Sequence, residues 1–390
     1  MVANIKISVF SSDYTDARLI KRMRAFVGIG CETLCVSFQR QRYNRDYVPE
    51  WNNIHLGVIQ DRKYLQRIPV LSRAAGRLLK ARRVIGASQV FYAINLDQLL
   101  LAVFMKYICG GKVLITYEVA DIQHPLVRKD LFGSLLRGLE RCLLRSVDLL
   151  VVTSPGYIRN YFVPIQRYQG LWFLLENKVY PAPADALRTV LSVNEQRHHA
   201  EDHVWVVGFF GALKCKKSWE IIKHIARALP HKVVFRLAGY PTRIDQDDFF
   251  NTIAELENII YLGEYKNPDE LGKIYGGVDL VWCFDFSNGE YNSVWCLANR
   301  IYEGGYFEIP LLASKNYESG NFVERHGIGW TFSEPYADAL LRFLEELTVE
   351  KYMQVKRKYQ SIDKTGFSGD QQHQEMCDRM MAIYQTLWDR

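Results

Sequence analysis

The feature that most constrains the fold is a regular alternation along the chain. Short apolar runs rich in β-branched and aromatic residues alternate with longer amphipathic runs. The short runs are typical of buried strands and the long runs of covering helices, so this pattern predicts βαβ units with parallel sheets. Because 390 residues exceed one ordinary core, we expect two domains. The sequence therefore predicts an α/β protein with two Rossmann-like, doubly wound domains.

Six strands are predicted in each half of the chain. In the first half they are expected at 5–10, 33–38, 89–94, 113–117, 148–152 and 171–175. In the second half they are expected near 203–210, 232–238, 259–262, 279–283, 310–313 and 328–332. The helices of the first half are expected near 15–28, 65–84, 96–108, 129–145 and 155–163.

A break in the alternation gives the domain boundaries. Residues 179–200 contain two prolines and a polar stretch, which predicts a linker. It would join an N-terminal domain, 1–178, to a C-terminal domain, 201–368. No strand follows the last amphipathic run, 369–390, and we expect it to pack back on the N-terminal domain as a helix.

Composition favours a globular protein of a reducing compartment. The chain is 48% hydrophobic and 24% charged, and its eight cysteines form no CxxC pair. Met1 leads directly into a strand, so we expect no signal peptide. The apolar run from Val90 to Cys109 is interrupted by charged residues, which argues against a membrane span. These features predict a cytoplasmic location.

Charge is distributed unevenly between the two halves. Residues 1–178 carry 26 Lys and Arg against 13 Asp and Glu, a net +13, while the remainder carries 23 against 30, a net −7. This asymmetry indicates an anionic partner for the first half, either nucleic acid or a membrane.

A basic amphipathic stretch at 71–85 lies within that first half, and it contains Arg77, Arg82 and Arg83. It fits a helix on a membrane surface, or a packed helix with a solvated basic face. It lacks the interleaved aromatic residues of nucleic-acid modules, so we expect a membrane partner and no nucleic acid.

A predicted strand in the second half ends in a glycine-rich and lysine-rich turn. The segment Gly208-Phe-Phe-Gly-Ala-Leu-Lys-Cys-Lys-Lys-Ser-Trp219 then begins a helix. Gly211 allows a phosphate close to the backbone, and Lys214 and Lys217 supply positive charge beside the positive end of the helix. The turn therefore predicts an anion site, although an ordinary βα turn with surface lysines also fits.

A second segment lies about ninety residues later. A helix at 297–307 carries Asn299, Arg300 and Glu303, and it stops before Pro310. A carboxylate on this helix can accept hydrogen bonds from the hydroxyls of a sugar attached to the bound anion, although it also fits a solvated helix residue. Together the two segments predict a nucleotide-sugar site.

Three titratable groups follow a predicted strand of the first half. Glu118, Asp121 and His124 lie in a loop at the carboxyl end of that strand, where open α/β sheets bind ligands. Any of the three fits a role in orienting an acceptor hydroxyl or taking its proton, and a capped loop without chemistry is the alternative.

The pair Asp245 and Asp247 matches the Asp-x-Asp of metal-dependent glycosyltransferases. It precedes a predicted helix, whose positive end favours acidic residues in any case. We therefore expect no metal cofactor.

Two segments carry a resemblance to a known family. The segment "NRIYEGGYFEIPLLAS" resembles the donor-binding helix of family 4 retaining glycosyltransferases of the GT-B fold, and "GFFGALKCKKS" resembles their basic diphosphate loop. In the first half, "ITYEVADIQHPLV", "ERCLLRSVDLLVVTSPGYI" and "LLENKV" are similar to bacterial succinoglycan-type exopolysaccharide glycosyltransferases. The chain departs from the family pattern at Ala120, Ala212 and Trp295, where the family has a His, an Arg and a Glu.

The resemblance implies a GT-B protein with two domains facing across a cleft. It implies sugar transfer, with retention, from a nucleotide sugar to a polyprenyl-diphosphate-linked glycan at the inner face of the plasma membrane. Lys214 and Lys217 would stabilise the departing diphosphate, while Gly211, Asn299, Arg300 and Glu303 would bind the donor. The departures leave open a non-catalytic GT-B protein that binds a sugar nucleotide or glycan. A sugar-nucleotide epimerase of this fold would have more cleft carboxylates.

Overall fold

The computed structural model describes residues 5–40, 47–59, 68–195, 197, 203–287 and 289–388. The chain divides into two compact units. Unit 1 consists of Met1–Leu175 together with Asp370–Arg390, and unit 2 consists of Glu176–Gly369. Unit 1 is therefore built from two separate stretches of the chain.

Unit 1 contains a parallel sheet of seven strands. They are β1 (Lys6–Ser11), β2 (Glu32–Arg40), β3 (Asn52–Ile59), β4 (Val90–Ile94), β5 (Leu114–Val119), β6 (Leu149–Val152) and β7 (Trp172–Leu174). Their order is β3-β2-β1-β4-β5-β6-β7, and each neighbouring pair is parallel. The direction of winding therefore reverses between β1 and β4, as expected for a doubly wound sheet.

Helices cover both faces of this sheet. They are α1 (Ala17–Gly28), α2 (Ile68–Ile85), α3 (Leu96–Cys109), α4 (His124–Val127), α5 (Leu131–Leu144), α6 (Pro155–Tyr157), a π-helical turn (Ile158–Phe162) and the C-terminal helix (Asp370–Trp388). One face packs against α1 and the C-terminal helix, with Tyr92, Met23 and Met376 in a shared core. The other face packs against a layer in which α3 contacts both α2 and α5.

Unit 2 contains a parallel sheet of six strands. They are β8 (Trp205–Phe210), β9 (Val233–Ala238), β10 (Ile259–Tyr261), β11 (Leu280–Trp282), β12 (Leu311–Ser314) and β13 (Gly329–Phe332). Their order is β10-β9-β8-β11-β12-β13, so the winding reverses between β8 and β11. The helices are α7 (Ala184–Glu195), α8 (Lys216–Ala228), α9 (Gln246–Glu255), α10 (Leu271–Tyr275), α11 (Gly289–Trp295), α12 (Asn299–Tyr306), α13 (Glu318–His326), α14 (Tyr336–Glu346) and α15 (Val349–Lys356).

Two apolar clusters, on opposite faces, hold the unit 2 sheet to its helices. One contains Trp205, Trp282 and Trp219, the last on α8. The other contains Phe210, Tyr275 and Tyr302 and binds α10 and α12 to the strands. Burial on both faces explains why most residues in the strands of this unit are apolar.

The predicted α/β class is confirmed, and all twelve predicted strands are present. The sequence missed β3, because Asn52-Asn-Ile-His-Leu-Gly-Val-Ile59 mixes polar residues with a glycine at the edge of the sheet. Within the predicted linker, residues 184–195 form α7, which packs on α10. Asn194 fixes its end by accepting from the Gly277 amide at 2.7 Å. The rest of the predicted polar stretch, 196 and 198–200, lies outside the described residues.

Candidate functional site

The anion turn lies at the reversal point of the unit 2 sheet. β8 ends at Phe210, and Gly211 follows with φ 103°, a conformation that favours glycine. The chain then reaches the first turn of α8, whose cap is Cys215. Its Sγ accepts from the amide of Ser218 at 3.4 Å and from the amide of Phe286 at 3.3 Å. The start of α8 is thereby bound to the loop that follows β11.

Lys214 lies against the same loop. Its Nζ is 3.6 Å from Oδ2 of Asp285, and both side chains are largely buried. Burial raises the pKa of the Asp285 carboxyl, but Lys214, the Ser287 hydroxyl and Arg300 outweigh it and lower the pKa below its ordinary value. Asp285 is therefore ionised at neutral pH beside two cations.

Arg300 joins the carboxyl ends of the two strands at the reversal point. Its guanidinium donates to the carbonyl of Phe210 at 2.9 Å and to the carbonyl of Phe284 at 3.1 Å. The same group lies 4.9 Å from the ring centroid of Phe209. Carbonyl oxygens carry no full charge, so Arg300 and Lys214 together bring two positive charges against the single carboxylate of Asp285.

Lys217 lies on α8, in its first turn. Its Nζ forms an ion pair with Glu334. It also lies 4.8 Å from the ring centroid of Phe286 and 4.9 Å from that of Tyr336. Lys214, Lys217 and Arg300 thus surround the end of β11 and the loop after it.

Glu303 is buried on the inner side of α12. Oε1 accepts from Nδ2 of Asn267 at 2.8 Å, and Oε2 accepts from the hydroxyl of Tyr275 at 2.8 Å. Burial, and then the charge of Glu303, raise the pKa of Tyr265. A carboxylate has about four acceptor positions, so these two bonds leave acceptor capacity for hydroxyl groups.

The glycines after Glu303 serve close packing. A side chain at Gly304 would lie 2.6 Å from Leu311, and one at Gly305 would lie 2.2 Å from the ring of Phe367. The bulk of neighbouring side chains therefore accounts for both glycines within a helix. Asn299, by contrast, is exposed at the start of α12.

The three predicted acceptor residues of unit 1 have different surroundings. Glu118 is fully buried, with Oε1 2.7 Å from Arg22 and Oε2 accepting from Tyr92 at 2.5 Å. Burial raises its pKa, but Arg22 and Tyr92 outweigh this and lower it. Arg22 also contacts Nε2 of His373 on the C-terminal helix at 2.5 Å. Glu118 thus binds α1 to the sheet directly and the C-terminal helix through Arg22.

Asp121 and His124 are exposed after β5. Oδ2 of Asp121 is 3.4 Å from Arg18, and His124 begins α4. Just before them, the carbonyl of Ala120 accepts from the hydroxyls of Thr153 and Tyr157 at 3.2 and 3.1 Å, which fixes the start of the loop.

Sequence reasoning missed the reversal point of the unit 1 sheet, one strand away from β5. There β1 runs into Ser12 and Asp13, and β4 runs into Asn95. Asn95 has φ 73° and ψ 164°, a conformation that favours glycine, and its side chain does not cap α3. Asp13 accepts from the hydroxyl of Thr15 at 2.8 Å. The signal was a polar residue directly after each of two apolar strands.

The predicted membrane arginines lie on α2. Arg77, Arg82 and Arg83 are exposed, while Leu78 and Ile85 of the same helix are buried. Arg77 donates to the carbonyl of His55 at 3.1 Å. The stretch is therefore a packed helix with an exposed basic face. The side chains of 68–72 lie outside the described residues.

Asp245 caps α9 by accepting from the amide of Asp248 at 2.9 Å. No group of three His, Cys, Asp or Glu side chains that could hold a metal ion occurs in the described part of the chain. Among the described helices, none combines the length and apolar character needed to cross a membrane.

The sequence of this chain is similar to that of a known protein. No family model matches the chain. The succinoglycan biosynthesis protein ExoL of Rhizobium meliloti is 29% identical over 379 residues, which cover 97% of this chain and 93% of ExoL. The predicted resemblance to exopolysaccharide proteins is thus confirmed over nearly the whole chain, while nothing tests the assignment to family 4.

Solved structures match across both units. HepE of Anabaena, crystallised with UDP, has a TM-score of 0.70 at 15% identity, covering 97% of this chain and all of HepE. The lipopolysaccharide glycosyltransferase WaaG has 0.61 at 11% identity, covering 96% and 99%. The sucrose-phosphate synthase of Thermosynechococcus elongatus has 0.61 at 15% identity, covering 99% of both chains. The chain has the GT-B fold. The predicted fold is confirmed.

Proposed function

We propose that the protein is a glycosyltransferase of exopolysaccharide or surface-glycan synthesis. Unit 2 binds a nucleotide-sugar donor, and unit 1 binds a polyprenyl-diphosphate-linked glycan acceptor. The relative in succinoglycan biosynthesis and the solved neighbour with UDP support this proposal. Fold alone would not select a function, because one fold serves many chemistries.

The observation that carries the proposal is the set of cations at the unit 2 reversal point. Lys214 and Arg300 lie beside Gly211 and the first turn of α8, where a diphosphate accepts from backbone amides. Negative charge grows on the diphosphate as the sugar leaves, and preorganised positive charge lowers the barrier. Lys217 adds to this field while it is held by Glu334. In this scheme, side chains and not a metal ion neutralise the negative charge of the departing diphosphate.

Donor positioning falls to α12. Glu303 accepts the ribose hydroxyls with the capacity left by Asn267 and Tyr275. Asn299, exposed at the start of the helix, contacts the donor near Arg300. Holding donor and acceptor in the reactive geometry converts a bimolecular step into an effectively unimolecular one, which removes much of the activation barrier. We propose transfer with retention of configuration, in keeping with the family resemblance.

On the acceptor side, Asp121 and His124, which are exposed after β5, orient the acceptor hydroxyl or take its proton. Glu118 supports this loop from within the core, because Arg22 and Tyr92 occupy its carboxylate. A lipid-linked acceptor is met at a bilayer. We therefore propose a peripheral location on the inner face of the plasma membrane, with the exposed arginines of α2 facing anionic lipid.

Ligand-dependent stability tests the donor site. UDP, ADP, GDP, uridine and UDP-sugars are compared by thermal shift with the purified protein. One nucleoside diphosphate at 100 times its dissociation constant should add about 2.7 kcal/mol to the free energy of unfolding, and its nucleoside should add far less. Release of that nucleotide only when a lipid-linked glycan is present identifies an enzyme. Binding without hydrolysis or transfer identifies a non-catalytic protein, and no response to any nucleotide contradicts the proposal.

A further inference from the structure

Helix α5 exposes four of its apolar residues and buries its acidic one, although Leu143 and Leu144 at its end are buried. Leu131, Leu135 and Leu139 recur every four residues along its outer side, and they are 77%, 65% and 41% exposed. Phe132, beside the first of them, is 53% exposed. Glu140, on the inner side, is fully buried. A surface helix of a water-soluble domain usually turns its apolar side chains inward and its acidic side chains outward.

The contacts of Glu140 fix this orientation. Its carboxylate accepts from Tyr117 of β5 at 2.9 Å, from Gln166 at 2.6 Å and from Tyr161 at 2.5 Å. Burial raises the pKa of Glu140. Rotating α5 to cover its leucines would break three buried hydrogen bonds, so the apolar side is held outward by the interior of unit 1.

The neighbouring helix extends the apolar surface. On α3, Leu100, Phe104 and Tyr107 follow one side of the helix and are 46%, 44% and 77% exposed, and α3 contacts α5. We call this surface the α3–α5 face; it consists of Leu100, Phe104, Tyr107, Leu131, Phe132, Leu135 and Leu139. Single exposed apolar residues need no explanation, but a cluster on adjacent helices marks an interaction site.

The surroundings of the α3–α5 face are basic. Arg128, Lys129 and Arg145 flank α5 and are exposed, and α2, which contacts α3, adds Lys80, Arg82 and Arg83. The nearby acidic groups are bonded: Asp130 to Arg128, and Asp97 to the Gln98 amide at 3.0 Å. Two copies meeting through this face would bring like charges together, whereas an anionic bilayer offers apolar chains beneath negative headgroups.

We propose that the α3–α5 face inserts into the boundary between headgroups and acyl chains of an anionic bilayer. The basic residues around it make the first, salt-sensitive contact, and the apolar side chains then supply binding that salt does not screen. This proposal deepens the membrane contact of the proposed function and rests on it. The proposed function assigned the membrane contact to the arginines of α2, whereas here the apolar side chains of α3 and α5 anchor the protein.

Vesicle binding by the full chain tests the proposal without any donor. The variant Leu131→Gln/Leu135→Gln is compared with Val27→Gln/Leu387→Gln, which removes two exposed apolar residues from α1 and the C-terminal helix in the other helical layer. On vesicles of equal phosphatidylcholine and phosphatidylglycerol, the α5 variant should lose about tenfold or more in affinity. The control should bind like the wild type, and half-molar salt should leave part of the wild-type binding.

Cys142 provides a probe of insertion. It is exposed on α5 near the end of the apolar side, and the other cysteines are buried or half-buried. A polarity-sensitive dye on Cys142 should shift to shorter wavelength on the vesicles and be quenched by lipid with a spin label in the upper acyl chain. Equal vesicle binding by both variants, or an unchanged dye, would overturn the proposal. So would a wild-type dimer that Leu131→Gln/Leu135→Gln converts to a monomer.

The two proposals fail separately. Vesicle binding with no response to any nucleotide would leave the α3–α5 face standing and contradict the donor site. Nucleotide binding and sugar transfer with no vesicle binding would support the donor site and contradict the proposal for the α3–α5 face.

Discussion

Replacing Lys214 by methionine tests the donor site most directly. Methionine keeps an apolar stem of similar length and removes the charge. Lys214 is 28% exposed, and its ion pair with Asp285 is 3.6 Å long. We expect the catalytic rate to fall by roughly 10²–10³, or about 2.7–4 kcal/mol of transition-state stabilisation, which is typical of losing one preorganised charge-stabilising group.

Stability should change much less. A partly exposed ion pair of this length contributes about 0–1 kcal/mol to the free energy of unfolding. In the variant, Asp285 still accepts a hydrogen bond from the Ser287 amide at 2.8 Å and still lies near the positive charge of Arg300. Because Lys214 lowers the pKa of Asp285, the stability difference between wild type and variant should be fully present above the ordinary Asp value of about 3.9. It should disappear as pH falls through the lowered pKa.

The catalytic rate is measured as release of the nucleotide from a sugar nucleotide. The free energy of unfolding is measured on the same samples by urea unfolding. Arg227→Met is the matched control, because it removes a cation from the opposite end of α8, where Arg227 pairs with Glu255 at 3.1 Å. Lys214→Arg should recover part of the rate. A rate within threefold of wild type for Lys214→Met, or an equal loss in Arg227→Met, would refute the reasoning.

Two further predictions concern buried carboxylates. Glu303→Gln should weaken binding of the free nucleoside diphosphate and of the sugar nucleotide equally, by roughly 1.5–3 kcal/mol in calorimetry, because the ribose is common to both; an effect on the sugar nucleotide alone would place Glu303 at the transferred sugar. Arg22→Met should lower the free energy of unfolding by about 3–5 kcal/mol, because Glu118 is left buried without its cation. Adding Glu118→Leu should restore much of that loss in urea unfolding, and no recovery would mean that the pair is not the cause.

The sequence was sufficient for the strands and for the two motif segments of unit 2. Each strand except β3 has an apolar centre, because helices cover both faces of the sheets. The lysine turn and the α12 helix were recognised because their residues lie close together in the chain. Arg300 was expected at the donor, but its contacts with the Phe210 and Phe284 carbonyls depend on the adjacency of β8 and β11.

The sequence could not predict contacts between distant segments. Glu118 appeared to be a loop carboxylate, but it is bonded to Arg22, which in turn contacts His373, 351 residues further along the chain. Amphipathicity also does not reveal which side of a helix faces inward. In α5 that choice depends on Tyr117, 23 residues earlier in the chain.

The C-terminal helix also determines when unit 1 can finish folding. Its residues Met376, Cys377 and Met380 are fully buried among the strands and α1. During synthesis all of unit 2 leaves the ribosome before these residues do. The core of unit 1 therefore stays incomplete through most of translation, although β1 to β7 emerge before every strand of unit 2. A fragment ending at Leu175 would expose this part of the core to water, so unit 1 cannot be isolated simply by cutting the chain between the two units.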